Sequence, residues 1–272
     1  MAQGCASELS RREFLSSDGV KLSFLEAGRE HCGGDRLSIA MITGWAMPAA
    51  IWRNQLQTFG RRFYALALDP RGQGESELPA GGFNPERRAT DIKEFLDPLS
   101  KVLLIGWSLG AIESLQYIHM FGAERLAGMV LVDSSIGEEP APPSSGAFLQ
   151  ALRDARDKTI AGFVRSIFTD AAHGIEIEAL IAGAKRLPLE NSVALLSYPL
   201  PRTHWKEIAH RFKKPLLYVV TPQFEEQAKN LQNNRPGTAV EIFSAAGHAL
   251  FVDEADRFNA IVLQFAESLP DR

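Results

Sequence analysis

The pentapeptide G-W-S-L-G at positions 106–110 has the residue types and spacing that could present a serine as a nucleophile. The aliphatic run from Lys101 to Ile105 before it favours a buried strand, and apolar residues at helical spacing follow from Ala111 to Phe121. We therefore expect Ser108 on a sharp turn between a strand and a helix, with its hydroxyl above the sheet edge. The first amides of the helix would then point at the group that the serine attacks. The alternative is a serine that only shapes the turn.

A serine hydroxyl is a poor nucleophile unless a base accepts its proton and a third group orients that base. Among the six histidines of the chain, His248 is the best placed, because its small-residue loop A-G-H-A-L joins the last predicted strand to the last predicted helix. Such a loop ends at the same sheet edge as Ser108, so we predict that His248 is the general base. The alternative is a loop histidine that only packs. No histidine pair has the H-E-x-x-H spacing of a zinc site, and we expect neither a metal nor another cofactor.

The acid that would orient the histidine is left open between two places in the chain. Asp133 directly follows a short apolar strand, whereas Glu225 and Glu226 lie in the first turn of a predicted helix, where acids also suit the helix dipole. We favour Asp133, because its strand should end at the sheet edge that carries the serine. The alternative for Asp133 is an aspartate that only supports the turn after it.

Short apolar runs alternate with helical patterns over most of the chain, which predicts an α/β fold with a mostly parallel sheet and helices on both faces. The predicted strands are Arg12–Leu15, Lys21–Gly28, Ser38–Ile42, Phe63–Leu68, Lys101–Ile105, Met129–Val132, Pro215–Val220 and Ala239–Phe243. The predicted helices between them are Ile51–Phe59, Pro85–Leu96, Leu109–Phe121, Phe224–Leu231 and Glu254–Leu269.

The segment 137–212 interrupts this alternation, because it begins with a stretch rich in proline and serine and then shows only helical patterns. Those patterns cover Phe148–Phe168, Ile175–Arg186 and Ser192–Leu196. We predict that residues 1–136 and 213–272 form one α/β core. Residues 137–212 would form a helical lid over the carboxyl edge of the sheet, where α/β sheets bind ligands. The alternative is a small structural subdomain that takes no part in binding.

Two further motifs accompany the serine and the histidine: T-G-W at 43–45, after the third predicted strand, and D-P-R-G-Q-G-E-S at 69–76. With these motifs, in this order, the chain resembles the α/β-hydrolase family over nearly its whole length. It is most similar to capped esterases of the pimeloyl-carrier methyl esterase and aryl-esterase kind. The resemblance implies an eight-stranded, mostly parallel sheet whose second strand is antiparallel, with a helical cap after the sixth strand. The chain departs from most members at Thr43, where they have a histidine.

The motifs and the resemblance together predict a serine hydrolase that cleaves carboxylic esters through an acyl-enzyme. Negative charge on the attacked carbonyl oxygen would be held by the backbone amides of Trp45 and Leu109. Apolar side chains beneath the lid would form a pocket for uncharged acyl groups. The residues assigned to this pocket are Trp107, Phe163, Phe168 and Leu196. For the rings of Trp45 and Trp107, packing in the core without a role in the pocket is the alternative.

Three other activities are left open by the sequence. Thioester hydrolysis and cofactor-free perhydrolysis would use the same serine, histidine and acid. A ligand-sensing protein with a hydrolase fold and little turnover is the rival from another class, since a fold does not determine a function.

The composition limits the partners that we expect. A formal net charge of -4 over 272 residues gives no basic field for nucleic acid, and no apolar run approaches the roughly 20 residues that span a bilayer. The expected partner is a small-molecule ester. Alternating charges between Arg153 and Arg165 are typical of a solvated helix face, so a carrier protein is possible but not favoured. The sequence leaves the oligomeric state open.

The chain contains two cysteines, Cys5 and Cys32, both near its start. Two cysteines in a chain of this length do not indicate a disulfide scaffold. A reducing cytoplasm is therefore the predicted location.

Overall fold

An eight-stranded sheet forms the centre of the computed structural model, which describes residues 8–169 and 175–270. The strands are β1 (Ser10–Leu15), β2 (Lys21–Ala27), β3 (Leu37–Ile42), β4 (Tyr64–Asp69), β5 (Lys101–Trp107), β6 (Leu126–Val132), β7 (Leu216–Val220) and β8 (Thr238–Ile242). Their order across the sheet is β1-β2-β4-β3-β5-β6-β7-β8. Strand β2 is antiparallel to both of its neighbours, while β3 to β8 run parallel. The predicted sheet, with its antiparallel second strand, is confirmed.

Helices connect the parallel strands and cover both faces of the sheet. They are α1 (Arg53–Phe59), α2 (Pro85–Leu96), α3 (Leu109–Phe121), α4 (Gly146–Ser166), α5 (Ile177–Ala184), α6 (Leu189–Leu196), α7 (Arg202–Arg211), α8 (Glu225–Asn234), α9 (Leu250–Asp253) and α10 (Ala255–Ser268). Helix α2 shows how the sequence sets a boundary: Asn84 caps it by accepting a hydrogen bond from the amide of Arg87 at 2.8 Å, and Pro85 occupies the first turn.

Each face of the sheet has its own apolar core, because successive side chains of a strand point to opposite sides. On β3, Ile39 and Met41 pack in the core that α1 and α10 cover. Ala40 and Ile42 pack in the core that α2, α3 and α8 cover. Burial on both faces explains why the central strands are continuous apolar runs in the sequence.

Four helices, α4 to α7, lie between β6 and β7, and the described part of 137–212 contains no strand. Helix α4 is broken at Ala155, whose φ of −149° and ψ of 56° leave the helical region. The chain folds back there, because the rings of Phe148 and Phe163 lie 5.7 Å apart although about four helical turns separate them in sequence. The sequence prediction had α4 as one helix and did not include α7.

The parallel strands bring the candidate residues to one edge of the sheet, because all of their carboxyl ends lie there. Thr43 follows β3, Ser108 follows β5, Asp133 follows β6, and His248 lies in the loop after β8. The edge therefore collects four motifs that are far apart in the sequence.

None of the helices in the described ranges is both long and apolar enough to cross a membrane. Cys32 is exposed and forms no disulfide, whereas Cys5 lies outside the described residues.

Candidate active site

Ser108 stands on a strained turn that its glycine neighbours make possible. Its φ of 54° and ψ of −121° place it in a backbone region that costs a non-glycine residue about 1–3 kcal/mol. A Cβ on Gly106 would lie 2.6 Å from the carbonyl oxygen of Gly110, and a Cβ on Gly110 would lie 2.5 Å from that of Ile42. Glycines at these two positions therefore let strand, turn and helix approach closely enough to hold the serine in place.

Asp133 is fully buried and hydrogen-bonds to the imidazole of His248. The distance from its Oδ2 to Nδ1 of His248 is 2.6 Å. Its Oδ1 accepts hydrogen bonds from the backbone amide and the hydroxyl of Thr221, at 2.7 and 2.8 Å. Because Thr221 directly follows β7, the neighbouring strand holds one carboxylate oxygen and leaves the other to face the histidine.

The two glutamates considered as alternatives lie in the first turn of α8. Glu225 Oε1 accepts a hydrogen bond from Lys229 Nζ at 2.5 Å, one turn further along the helix, and Glu226 is exposed. Within the described chain, neither of them hydrogen-bonds to His248. Of the three carboxylates, the structure brings Asp133 to the imidazole.

A cavity of about 580 Å³ joins the candidate residues. Ser108, Asp133 and His248 all line it, together with Trp45 and Leu109. The apolar side chains missed by the sequence analysis are Ile112, Phe148, Leu195, Trp205 and Phe224. Apart from Asp133 and His248, no lysine, arginine, aspartate, glutamate or histidine from the described residues lines the cavity. Its wall is therefore mostly apolar and uncharged.

The backbone amides of Trp45 and Leu109 are unused donors at this cavity. Among the described residues neither amide makes a hydrogen bond, and Leu109 begins α3, where amides have no partner within the helix. A Cβ on Gly44 would lie 3.0 Å from Cβ of Ser108, so the peptide before Trp45 packs against the serine. Two free amides beside a serine can stabilise an oxyanion that forms there.

Three aromatic rings form part of the cavity wall. The ring centroid of Trp45 lies 5.7 Å from that of Phe148 and 5.1 Å from that of Phe163. Both phenylalanines belong to α4, and the break in this helix lets both of them reach the same tryptophan. Phe163 and Leu196, two of the four residues assigned to the pocket from the sequence, line the cavity.

Trp107 and Phe168, the other two assigned residues, do not line the cavity. Trp107 is 1% exposed and packs edge-on against Trp52 and Phe251 in the core, while its Nε1 donates to the carbonyl oxygen of His248 at 2.9 Å. Phe168 is buried in the same core. Periodicity identifies apolar side chains, but tertiary packing decides which of them face a cavity.

The loop that carries His248 is held by backbone hydrogen bonds on both sides of the histidine. The amide of Gly247 donates to Asp253 Oδ2 at 2.7 Å, within the loop and the short helix after it. The amide of Ala249 donates to the carbonyl oxygen of Ile167 at 2.8 Å, just beyond the end of α4. The imidazole is therefore placed by contacts on either side of it.

Besides Ser108, Asp133 and His248, five described residues that carry hydroxyl groups line the cavity. They are Ser134, Ser135, Ser145, Ser197 and Tyr198. The two serines after Asp133 could have been found from their position in the sequence, because they directly follow the same strand end. No sequence pattern marks the other three, which lie before α4 or after α6.

Tyr198 is tied to a buried ion pair beneath the cavity. Its hydroxyl donates to Glu113 Oε1 at 2.7 Å, and Glu113 pairs with Arg88 at 2.7 Å. Burial, followed by the charge of Glu113, raises the pKa of Tyr198 well above its ordinary value. The raised pKa keeps this hydroxyl protonated, so that it can donate to Glu113.

A larger groove, of about 760 Å³, lies between α3 and α7, but no serine or cysteine of the described chain lines it. His119 and His204 meet there with ring centroids 4.8 Å apart, and His204 Nε2 lies 2.8 Å from Gln116 Oε1. Burial, followed by the proximity of His119, lowers the pKa of His204. The larger volume of this groove therefore does not make it the better candidate for the reactive site.

In residues 8–169 and 175–270, no group of three or more His, Cys, Asp or Glu is arranged to hold a metal ion.

The chain is similar to known proteins over most of its length. A protein-family model described as "Alpha/beta hydrolase family" matches residues 39–261 of the chain. The pimeloyl-[acyl-carrier protein] methyl ester esterase of Vibrio atlanticus (strain LGP32) is 24% identical over 262 residues, which cover 87% of this chain and 97% of that protein.

Solved structures show the same fold. Esterase RhEst1 from Rhodococcus sp. ECU1013 gives a TM-score of 0.80 at 21% identity, covering 96% of this chain and 100% of that one. Bromoperoxidase from Bacillus anthracis gives a TM-score of 0.80 at 18% identity, covering 95% and 100%. The family match extends from β3 into α10, a range in which Ser108, Asp133 and His248 lie. The chain therefore belongs to the alpha/beta hydrolase family.

Proposed function

We propose that this protein is a serine hydrolase that cleaves uncharged carboxylic esters through an acyl-enzyme. The observation that carries the proposal is the 2.6 Å hydrogen bond between Asp133 and His248 in a cavity that Ser108 also lines. A buried carboxylate on Nδ1 leaves Nε2 of the imidazole free to act as a base, which is the arrangement that activates a serine.

The reaction follows from the positions of these groups. Ser108 Oγ attacks the ester carbonyl while His248 Nε2 accepts its proton, and Asp133 stabilises the imidazolium that forms. The amides of Trp45 and Leu109 hold the oxyanion. The imidazolium gives its proton to the leaving alcohol, and a water molecule then repeats the sequence on the acyl-enzyme to release the acid.

The cavity wall supports an uncharged substrate. No lysine or arginine of the described chain lines the cavity, so a substrate carboxylate or phosphate would lose its hydration without gaining an ion pair. The aromatic rings of Trp45, Phe148 and Phe163 offer an apolar surface instead. In this proposal the helical insertion acts as a lid that supplies the acyl side of the pocket.

The related proteins support ester chemistry and also define the alternatives. A relative over most of the chain is named as a methyl ester esterase and a solved structure as an esterase, while another solved structure is named as a bromoperoxidase. Thioester hydrolysis and peracid formation would use the same three residues. A ligand sensor would keep the fold without an activated serine.

A panel of p-nitrophenyl esters tests the proposal. We expect turnover of acetate to octanoate esters and at least tenfold lower kcat/KM for the mono-ester of succinate, whose carboxylate meets an uncharged wall. A matched thioester and an assay with acetate and hydrogen peroxide separate the two alternative reactions. Ser108→Ala should remove all activity while keeping the fold. No turnover of any ester by the wild type, or wild-type activity in Ser108→Ala, would contradict the proposal.

A further inference from the structure

The loop after β4, at 69–76, is the motif for which the proposed mechanism has no role. Gln73 in this loop is 2% exposed, and its side chain reaches the segment that carries Trp45. Its Nε2 donates to the carbonyl oxygens of Gly44 and Met47, each at 3.0 Å. The loop therefore contacts the candidate oxyanion site through one buried amide group.

The orientation of this amide is determined by its partners. Two carbonyl oxygens can accept hydrogen bonds only from the NH₂ group of Gln73, so its nitrogen must face them. Its Oε1 is buried and, within the described chain, has no hydrogen-bond partner. An unpaired buried oxygen destabilises a fold. The polar contacts of Gln73 within the described chain are therefore its two donor bonds, and both end on the segment that carries Trp45.

The planarity of the peptide bond links Gln73 to the oxyanion site. The carbonyl of Gly44 and the amide of Trp45 belong to one trans peptide, in which C=O and N–H point in opposite directions. A donor that fixes the Gly44 oxygen therefore fixes the direction of the Trp45 amide. Gln73 Nε2 donates to this oxygen at 3.0 Å and the amide of Met47 donates to it at 3.4 Å, so the bond from Gln73 is the shorter constraint. The same peptide packs against Ser108, with 3.0 Å between a Cβ built on Gly44 and Cβ of the serine.

We propose that Gln73 is a positioning residue for the oxyanion hole. It holds the Gly44–Trp45 peptide so that the amide of Trp45 faces the oxygen on which charge develops as Ser108 attacks. Gln73 acts through this peptide and does not touch the substrate. The inference rests on the proposed ester hydrolysis and adds a group that supports the transition state rather than the bound ester.

The variant Gln73→Met tests this role, because methionine keeps the length of the side chain and removes both donors. We expect kcat to fall about 10- to 100-fold, less than the roughly 10²- to 10³-fold that follows complete loss of an oxyanion donor. KM should stay within about threefold, because the amide acts mainly in the transition state. The affinity for phenylboronic acid, which forms a tetrahedral adduct with an active serine, should fall by the same factor as kcat/KM.

Ser76→Ala is the matched control in the same loop. The hydroxyl of Ser76 accepts a hydrogen bond from the amide of Ser23 at 2.8 Å and donates to the carbonyl oxygen of Asp69, but it does not contact the segment at 43–47. The control should lower the thermal midpoint and leave kcat within about twofold of wild type. If the methionine variant does not fold, Gln73→Asn keeps the amide but is too short to reach both carbonyls, and the same loss of kcat is expected.

Two results would overturn the inference alone: a folded Gln73 variant with wild-type kcat and boronic acid affinity, or an equal loss of kcat in Ser76→Ala. In both cases the wild type would still turn over esters, and that turnover would depend on Ser108. A wild type that turns over no ester would overturn the proposed function, and the role of Gln73 with it.

Discussion

The core side and the insertion side of the cavity are held by different kinds of contact. On the core side, Asp133 and His248 are joined at 2.6 Å, and Thr221 fixes the remaining carboxylate oxygen. On the insertion side, Phe148 and Phe163 meet Trp45 through ring contacts of 5.1–5.7 Å. Hydrogen bonds fix atoms and directions, whereas apolar packing fixes a volume. Changes to the core side should therefore lower kcat, and changes to the insertion side should alter KM and chain-length preference.

Of the variants that test this comparison, Asp133→Asn should have the largest effect. The variant keeps the shape of the side chain but removes the charge that orients His248 and stabilises its imidazolium, so kcat should fall about 10⁴-fold, or roughly 5 kcal/mol of barrier. Steady-state kinetics with a short ester measure the loss, and KM should change little. Glu225→Gln is the control, because it loses only the exposed pair with Lys229, which is worth about 0.2–0.5 kcal/mol.

The opposite pattern would place the acid elsewhere. If Asp133→Asn keeps most of its activity while Glu225→Gln loses it, the loop after β7 carries the acid. If both variants remain active, a serine–histidine dyad describes the site better. The hydrogen bond between Asp133 and His248 would then not determine kcat.

An intermediate effect is expected for Trp107→Phe. This change removes the 2.9 Å hydrogen bond to the partly buried carbonyl of His248, and a hydrogen bond of this kind contributes about 0.5–1.5 kcal/mol. We expect kcat to fall about tenfold with little change in KM. Trp52→Phe is a close control, because its ring lies in the same aromatic cluster and its Nε1 has no partner among the described residues.

Thermal unfolding of the two tryptophan variants separates packing from positioning. Both variants lose similar ring volume in one core, but Trp107→Phe also loses a hydrogen bond, so its loss of stability should be larger by about 0.5–1.5 kcal/mol. A similar loss of kcat in Trp52→Phe would show that core packing, and not the hydrogen bond to His248, accounts for the effect.

The smallest effect is expected on the insertion side, for Phe163→Leu. The smaller side chain removes apolar surface from the acyl wall, which should lower the preference for octanoate over acetate esters about three- to tenfold, mainly through KM. Phe265→Leu on α10 is the control, because Phe265 packs against the core outside the cavity. Equal losses for both esters would argue that the insertion does not shape the acyl pocket.

The core could be predicted from the sequence because its signals are local. Each predicted strand overlaps an observed one, since short aliphatic runs between turn residues have few other solutions in a buried parallel sheet. Gly106 and Gly110 indicated a tight turn at Ser108. The structure gives the steric reason, because a Cβ at either glycine would clash with a backbone oxygen. The choice among acids needed the fold, because Thr221, which fixes Asp133, lies on a different strand end.

The insertion was harder to predict because its arrangement depends on distant contacts. The break in α4 occurs at Ala155 without a glycine or proline to mark it, so periodicity suggested one continuous helix. That break is what brings Phe148 beside Phe163. The burial of Trp107 and Phe168 likewise depends on which face of the packed elements meets the cavity, which periodicity does not encode.

Labelling with a fluorophosphonate, followed by peptide mass spectrometry, tests most directly whether Ser108 is an activated nucleophile. The account predicts one phosphonyl group per chain, on the peptide that contains Ser108, with no label in Ser108→Ala and much slower labelling in Asp133→Asn. An unlabelled wild type, or a label on another residue such as Ser134, would contradict it.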